Sequence, residues 1–500
     1  MNNNFKWSDE QQAIFKWFEN ETGNAIVRAL AGTAKTTTII EGLNRAKEKS
    51  MAYFVFNKRN QVEAIEKIKN PNVTVKTLHS IGFSLLLEHW RGVRGDGYTE
   101  YNRIKKLAPD APAFVMFQAS KLVSYLKNTF FIPTDKEIAD TAILKNIDTG
   151  KYANEGWPQE RLIELASKSI KLSLEYPLDK KISFDDMIWL PCVLKFIRPI
   201  FDLCALDESQ DCNILQLTIV TGVCKPTGRL VLVGDEKQMI YAWRGAMKDC
   251  MKIFQNKLKA KEFTLTTTYR CPRKIVEYIN LIVPELKACE SAIEGAIQTI
   301  TDEKMLIDIK VNDTILSRTN FPLVKCCLAL LRKNKPAFVL GRDVGKNLIN
   351  ILKNLGAKSM SDFSDKLQTW LNNKVQKASG SFFATKALEI AQDEYDMLKE
   401  IAENVNTLEG IEDKINSLFY DADYVRIPSV VLSTTHKFKG LEANAIYMLS
   451  DTYRQGKRKL TPDEADEEKN ILYVSYSRTK NLLAFVTSTA KPKTPPNLKD

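Results

Sequence analysis

Histidine and paired cysteine are what this sequence has least of. Three histidines occur in 500 residues, His79, His89 and His436, with no cysteine near any of them in sequence. Nine cysteines are scattered singly apart from Cys326-Cys327, and none forms a C-x-x-C pair. This argues against a zinc site or a disulfide framework and for reduced thiols in a cytosol. No apolar run approaches the ~20 residues that a bilayer-spanning helix needs, so no membrane partner is expected. The start, MNNNFKWSDEQQ, lacks a basic stretch followed by an apolar one and does not read as a secretory signal. The expected location is the cytoplasm.

What is present is ordinary for a globular protein: 44% hydrophobic and 27% charged residues. The length suits roughly two to four domains. The net charge of +11 suits a polyanionic partner, although charge alone does not name one.

The stretch ALAGTAKTTT (29–38) comes close to a phosphate-binding loop. The branched apolar run 24–30 before it reads as a buried strand, and 36–49 after it has helical spacing. Strand, glycine-containing turn, Lys-Thr and helix is the context such a loop requires. Backbone N–H groups at the helix start would face phosphate, from Ala31, Gly32, Thr33 and Ala34 through Thr37. Lys35 would reach the β- and γ-phosphates of ATP, and the Thr36 hydroxyl would hold Mg²⁺. Ala34 stands where the pattern has glycine, so a plain strand–helix turn stays open as the alternative. Alanine there costs little at negative φ and about 1 kcal/mol or more at positive φ.

A second apolar strand, FDLCAL, runs into Asp207 and Glu208, followed by Gln210-Asp211. Asp207 at a strand tip can serve Mg²⁺, and Glu208 can orient and deprotonate an attacking water. A third strand ends in Gly234-Asp235, followed by Gln238, Tyr241, Trp243 and Arg244. Gln238 reads as a polar sensor. Tyr241 and Trp243 read as platforms for unpaired bases, with core packing as the alternative.

These three elements together resemble the UvrD/Rep type of superfamily 1 DNA helicases. Further stretches resemble that family's motifs in order from residue 7 to 480. WSDEQQAI (7–14) resembles the adenine-reading motif, with Gln11 in the key place. FVFNKRNQVEAI (54–65) and VKTLHSIGF (75–83) resemble its strand-contacting motifs, which implies DNA near Phe56, Asn57, Thr77 and His79. LTTTYRCP (265–272) implies that Tyr269 stacks on adenine and that Arg270 meets the γ-phosphate. LSTTHKFKGLE (432–442) implies His436 near DNA, with Gly440 and Glu442 near ATP and Glu442 placed for ribose. EEKNILYVSYSRTK (467–480) implies Arg478 as the arginine finger. Trp7 and Ser8 replace the usual Leu-Asn, and Ser477 replaces Thr.

The resemblance implies an α/β fold of two RecA-like parallel-sheet domains, each with a mainly helical insertion, and ATP between them. The first domain is expected at 1–90 and 196–265, around a helical insertion at 91–195. The second is expected at 266–356 and 428–490, around a small insertion at 357–427, with a disordered tail at 491–500. Apolar runs support this independently: 24–30, 51–56, 201–206 and 229–234, then 314–317, 336–341, 429–433, 445–449 and 482–487. The segment 357–427 has 8 Lys/Arg against 13 Asp/Glu, a net charge of −5, so it suits a protein partner or a solvated face better than a grip on duplex.

The expected activity is an Mg²⁺-ATP-driven DNA helicase moving 3′ to 5′ on single-stranded DNA, with a 3′-tailed duplex as substrate. A bacterial or phage-infected cytoplasm would suit it. Two alternatives stay open. One is a single-strand translocase without robust unwinding. The other is a DNA-binding scaffold whose nucleotide site is impaired by Ala34.

Overall fold

The computed structural model describes residues 6–56, 58–177, 179–240, 250–378, 384–403, 405–421, 428–453 and 461–488. The chain divides into two compact units. The first comprises Met1–Ala111, Ala119–Ile138 and Ile163–Tyr269, and the second comprises Pro112–Gln118, Ala139–Leu162 and Arg270–Asp500.

In the first unit, six strands form one sheet: β1 (Ala25–Ala29), β2 (Met51–Val55), β3 (Val73–Thr77), β4 (Phe201–Leu206), β5 (Cys224–Gly234) and β6 (Lys261–Leu265). Their order is β3-β2-β4-β5-β1-β6 and every pairing is parallel. β2 is buried along its whole length, and β1 and β4 nearly so, as their branched and apolar residues require for a sheet covered on both faces. One covering layer includes Ile14, Trp17 and Phe18 of α1 (Asp9–Asn20) and Ile39 and Leu43 of α2 (Lys35–Arg45). Ser8 and Gln11 form a capping box that starts α1. Next come α3 (Lys58–Lys67) and α4 (Leu78–His89), which follow β2 and β3.

The stretch 91–195 is largely helical: α5 (Thr99–Leu107), α6 (Ala113–Thr129), α7 (Asp135–Leu144), α8 (Gln159–Ser173) and α9 (Asp186–Val193). Its contacts are shared out. Pro112–Gln118 and Ala139–Leu162 group with the second unit, where Lys374 Nζ lies 2.8 Å from Asp148. α10 (Ile214–Val223) then joins β4 to β5 behind a second capping box, made by Asn213 and Gln216.

In the second unit, seven of the described strands form one sheet: β7 (Ala296–Thr301), β8 (Thr314–Ser317), β9 (Ala337–Leu340), β10 (Phe419–Tyr420), β11 (Val430–Thr434), β12 (Ala443–Leu449) and β13 (Thr479–Thr487). They run parallel in the order β7-β13-β12-β8-β11-β9-β10. The acidic segment is built from helices Met360–Ala378, Ala384–Ala402 and Leu408–Leu418. Phe363, Leu367, Leu398, Ile411 and Ile415 from these helices share one core with Val339 and Leu432 of the sheet and Leu323 of the helix Phe321–Arg332. Phe419 and Tyr420 then return the chain to the sheet as β10.

Candidate functional site

A parallel sheet collects the turns after its strands along one edge, where helix starts and strand-end side chains meet. After β1 the chain turns through Gly32 (φ 74°) and Ala34 (φ 58°, ψ 35°) into α2. Both residues are left-handed. Glycine tolerates this freely; alanine does so at a cost of about 1–2 kcal/mol. Of the two cases left open by the sequence, the structure therefore gives the strained one. Thr33 is buried, its hydroxyl bonded to the Leu30 carbonyl at 2.8 Å. Thr36 and Thr37 are exposed at the start of α2.

β4 ends beside this loop. The Thr36 hydroxyl donates to Asp207 Oδ2 at 2.8 Å, and Lys35 Nζ lies 2.7 Å from Glu208 Oε1. Burial alone would lower the Lys35 pKa, but the carboxylates of Glu208 and Asp207 outweigh it and hold it above the ordinary value. Burial pushes the Asp207 carboxyl up, aided by the neighbouring Glu208 charge and opposed by Lys35, Thr36 and Tyr53. Glu208 is itself left-handed, at φ 52°. A hydroxyl and a carboxylate 2.8 Å apart are hard oxygen donors. They fit Mg²⁺, which takes one or two protein oxygens and shares the rest of its shell with phosphates and water.

From Glu208 a chain of hydrogen bonds runs to the third strand tip. Gln210 Nε2 donates to Glu208 Oε2 at 2.6 Å, and Gln210 Oε1 accepts from the Asp235 N–H at 3.1 Å. Gln238 Nε2 then donates to Asp235 Oδ2 at 2.7 Å. Gly234 makes room for this chain, because a Cβ there would lie 2.3 Å from Gln210 Oε1. Lys35, Glu208 and Gln238, separate in the sequence, are thus joined through Gln210 and Asp235.

Tyr269 also comes to the loop. Its backbone N–H donates to the Gly32 carbonyl at 2.8 Å, and the residue is 39% exposed. Gln11, implied as the adenine-reading residue, lies behind the loop. It is buried, with Oε1 in the α1 capping box and Nε2 on the Thr38 hydroxyl at 2.9 Å; Thr38 in turn donates to the Ala34 carbonyl at 3.0 Å. In this arrangement Gln11 braces the loop from behind.

The second unit carries its own cluster. Arg270 Nε donates to Glu442 Oε2 at 2.7 Å, and Lys480 also pairs with Glu442. Burial pushes the Glu442 carboxyl up, but Lys480 and Arg270 hold it below its ordinary value. Gly440 sits two residues before it at φ 88°. Arg478 is buried, its guanidinium on the Val474 carbonyl and the Ser477 hydroxyl, both at 3.1 Å.

A family model of the UvrD/REP helicase N-terminal domain matches residues 7–259. The chain belongs to the UvrD/Rep helicase family. A second model, the UvrD-like helicase C-terminal domain, matches residues 346–490. The two parallel sheets are the RecA-like sheets of this family. The F-box DNA helicase 1 of Gallus gallus is 25% identical over 97% of this chain and 49% of its own length. The F-box DNA helicase protein 1 of Schizosaccharomyces pombe is 24% identical over 97% of this chain and 58% of its own. The probable DNA helicase II homolog of Mycoplasma pneumoniae is 33% identical over 27% of this chain and 21% of its own. In each case the chain spans less than two thirds of the relative's length.

The UvrD/Rep strand-contacting candidates fall at neighbouring strand ends. Phe56 is 44% exposed just past β2, Thr77 caps α4 by accepting from the Ser80 N–H, and His79 lies half-buried in the first turn of α4. Burial lowers the His79 pKa, partly offset by the charge of Asp185. Beside Asp185, Phe184 is 56% exposed, an aromatic the sequence reading passed over. His436 is half-buried in the short helix Thr435–Phe438 of the second unit. Asn57, Tyr241 and Trp243 lie outside the described residues, as does the tail 491–500. Among the described residues, no helix is long and apolar enough to cross a membrane.

The left-handed Ala34 gives a direct expectation. Ala34→Gly should stabilise the loop by about 1 kcal/mol, because glycine adopts φ 58° without the Cβ penalty. ATP affinity should hold or rise. Thermal melting and nucleotide titration of the variant check this, and a large loss of ATP binding would show that the methyl group is required.

Proposed function

We propose that this chain is an Mg²⁺-dependent ATPase that moves 3′ to 5′ along single-stranded DNA and opens duplex ahead of it. The observation that carries the reading is the joined set Lys35, Thr36, Asp207 and Glu208 at the ends of β1 and β4, linked by hydrogen bonds to Gln238. The names of the relatives, all DNA helicases, support it.

In this proposal the amides of 31–37 and Lys35 cradle the phosphates, and Tyr269 offers its exposed ring to the base. Thr36 and Asp207 hold Mg²⁺, which would neutralise charge on the phosphates. Glu208 takes a proton from the attacking water. Arg270 and Arg478 supply charge for the γ-phosphate, and Arg478 must exchange its bonds to Val474 and Ser477 to do so. Single-stranded DNA runs over Phe56, Thr77 and His79, with Tyr241 and Trp243 as stacking platforms worth about 1–3 kcal/mol per base.

A single-strand translocase is the second reading. It is favoured by the acidic segment 357–427, whose net charge of −5 suits a protein partner better than duplex. ATP hydrolysis with and without single-stranded DNA, followed by strand separation, tests both. A duplex with a 3′ single-stranded tail should open, and one with only a 5′ tail should not. Opening of the 5′-tailed duplex alone would reverse the polarity. Stimulated hydrolysis without opening of either duplex would select the translocase.

A further inference from the structure

The hydroxyl of Tyr53 is the one polar group that this side chain brings into the apolar core of the first unit, and it lands on a metal candidate. β2 pairs with β4 so that Tyr53 lies opposite Ala205, two residues before Asp207. Tyr53 is fully buried, and its ring belongs to the core cluster of Val27, Ile39 and Val233. The Tyr53 hydroxyl donates to Asp207 Oδ2 at 2.8 Å.

The acceptor positions of Asp207 define what this bond does. An ionised carboxylate offers about four lone-pair sites, two on each oxygen. Oδ2 accepts from Tyr53 and from Thr36, each at 2.8 Å. Oδ1 accepts from the Glu208 backbone N–H at 2.9 Å. Three donors on two oxygens fix both the tilt and the rotation of the carboxylate, and one position on Oδ1 is left over. The Thr36 hydroxyl spends its single proton on Asp207, so its own lone pairs remain for a cation. Tyr53 approaches from the buried side and does not compete for that position.

We propose that Tyr53 is a positioning residue for a divalent cation, acting through Asp207. It fixes the carboxylate so that its remaining acceptor position and the Thr36 lone pairs serve the same ion or its water. This rests on the nucleotide-site reading above. Partners of this kind behind a metal ligand typically change metal affinity by about 10–100-fold.

The test is Mn²⁺ binding to the full chain with saturating ADP, read by electron paramagnetic resonance of free Mn²⁺, in the unaltered protein and in Tyr53→Phe. Phenylalanine keeps the ring in the core and removes only the hydroxyl. ADP affinity in EDTA is measured alongside. The expected result is Mn²⁺ affinity about tenfold weaker in Tyr53→Phe, with metal-free ADP affinity unchanged. Equal Mn²⁺ affinity in the two proteins overturns the role of Tyr53 and leaves the nucleotide site standing. A matching loss of metal-free ADP affinity also overturns it, since the hydroxyl would then support the loop as a whole. Failure of the unaltered chain to bind either ADP or Mn²⁺ overturns the nucleotide site and this inference together.

Discussion

Glu208→Gln should bind ATP at least as tightly as the unaltered chain and lose about 10²–10⁴-fold in turnover. The carboxylate lies 2.7 Å from Lys35 and accepts from Gln210 at 2.6 Å, two residues past the end of β4 and next to Asp207, the metal-ligand candidate. Glutamine is nearly isosteric and keeps a polar contact with Gln210, but it cannot take a proton from water. It also removes the negative partner of Lys35. A phosphate must displace that partner to reach the ammonium, so binding should not suffer. The backbone adds to the argument. Glu208 is left-handed at φ 52°, like Ala34 at φ 58°. Strained non-glycine residues tend to persist where the surrounding structure holds a functional group in place. Phosphate release and nucleotide titration measure the two effects separately. Turnover equal to that of the unaltered chain would remove Glu208 from the chemistry. Weakened binding with normal turnover per bound ATP would make it a structural partner of Lys35.

Within the two large sheets, the strands legible in the sequence are all interior ones, and the four that were not are the four edges. β3 and β6 close the first sheet, and β7 and β10 close the second. An interior strand of a parallel sheet is covered on both faces, so it reads as an unbroken apolar run. β2, Met51–Val55, is buried at every position. An edge strand keeps part of its surface in water. KEFTL and AIQTIT carry exposed charged and polar residues within the strand and show no such run. An unbroken apolar run marks a strand only where both of its faces are buried.

The candidate site divides in a similar way. Lys35, Thr36, Asp207 and Glu208 were legible because loop chemistry forces their residue types and spacing. Tyr53 was not, because in sequence it is one more apolar member of MAYFV. Its hydroxyl gains meaning only when β2 lies beside β4. The Ala34 conformation was undetermined for a related reason. Residue type sets the cost of a left-handed φ, but the turn decides whether that φ is adopted. In the sequence Arg103 is one more basic residue of the helical insertion. The structure instead buries it against Glu100 and Asp186.

That burial leads to the largest expected effect on stability. Lys127→Met should cost the first unit about 3–5 kcal/mol, because it leaves buried carboxylates short of a cation. Lys127 is fully buried; its ammonium donates to Asp186 Oδ1 at 2.7 Å and to Ser173 at 2.8 Å, and pairs with Glu100. Arg103 bridges the same Glu100 and Asp186, each at 2.7 Å. Two cations and two carboxylates balance, and removing one cation leaves a buried negative charge. Burial pushes the Asp186 carboxyl up, but Lys127 and Arg103 outweigh it and hold it at about 2. A carboxyl held below its unfolded value of about 3.9 adds stability that is complete above that pH and disappears as pH falls toward 2. The deficit of Lys127→Met should therefore be full at neutral pH and shrink as pH drops below about 4. Hydrogen exchange in α6 and α9 reads the local opening, with no need for the whole chain to unfold as one unit. Asp186 follows Asp185, whose charge acts on His79, and Phe184, whose ring faces solvent; on the proposed strand path over His79, loosening α9 should also weaken binding of single-stranded DNA. A deficit that stays constant with pH would assign the loss to packing of the lysine stem. No deficit at all would show that Arg103 alone suffices to hold both carboxylates.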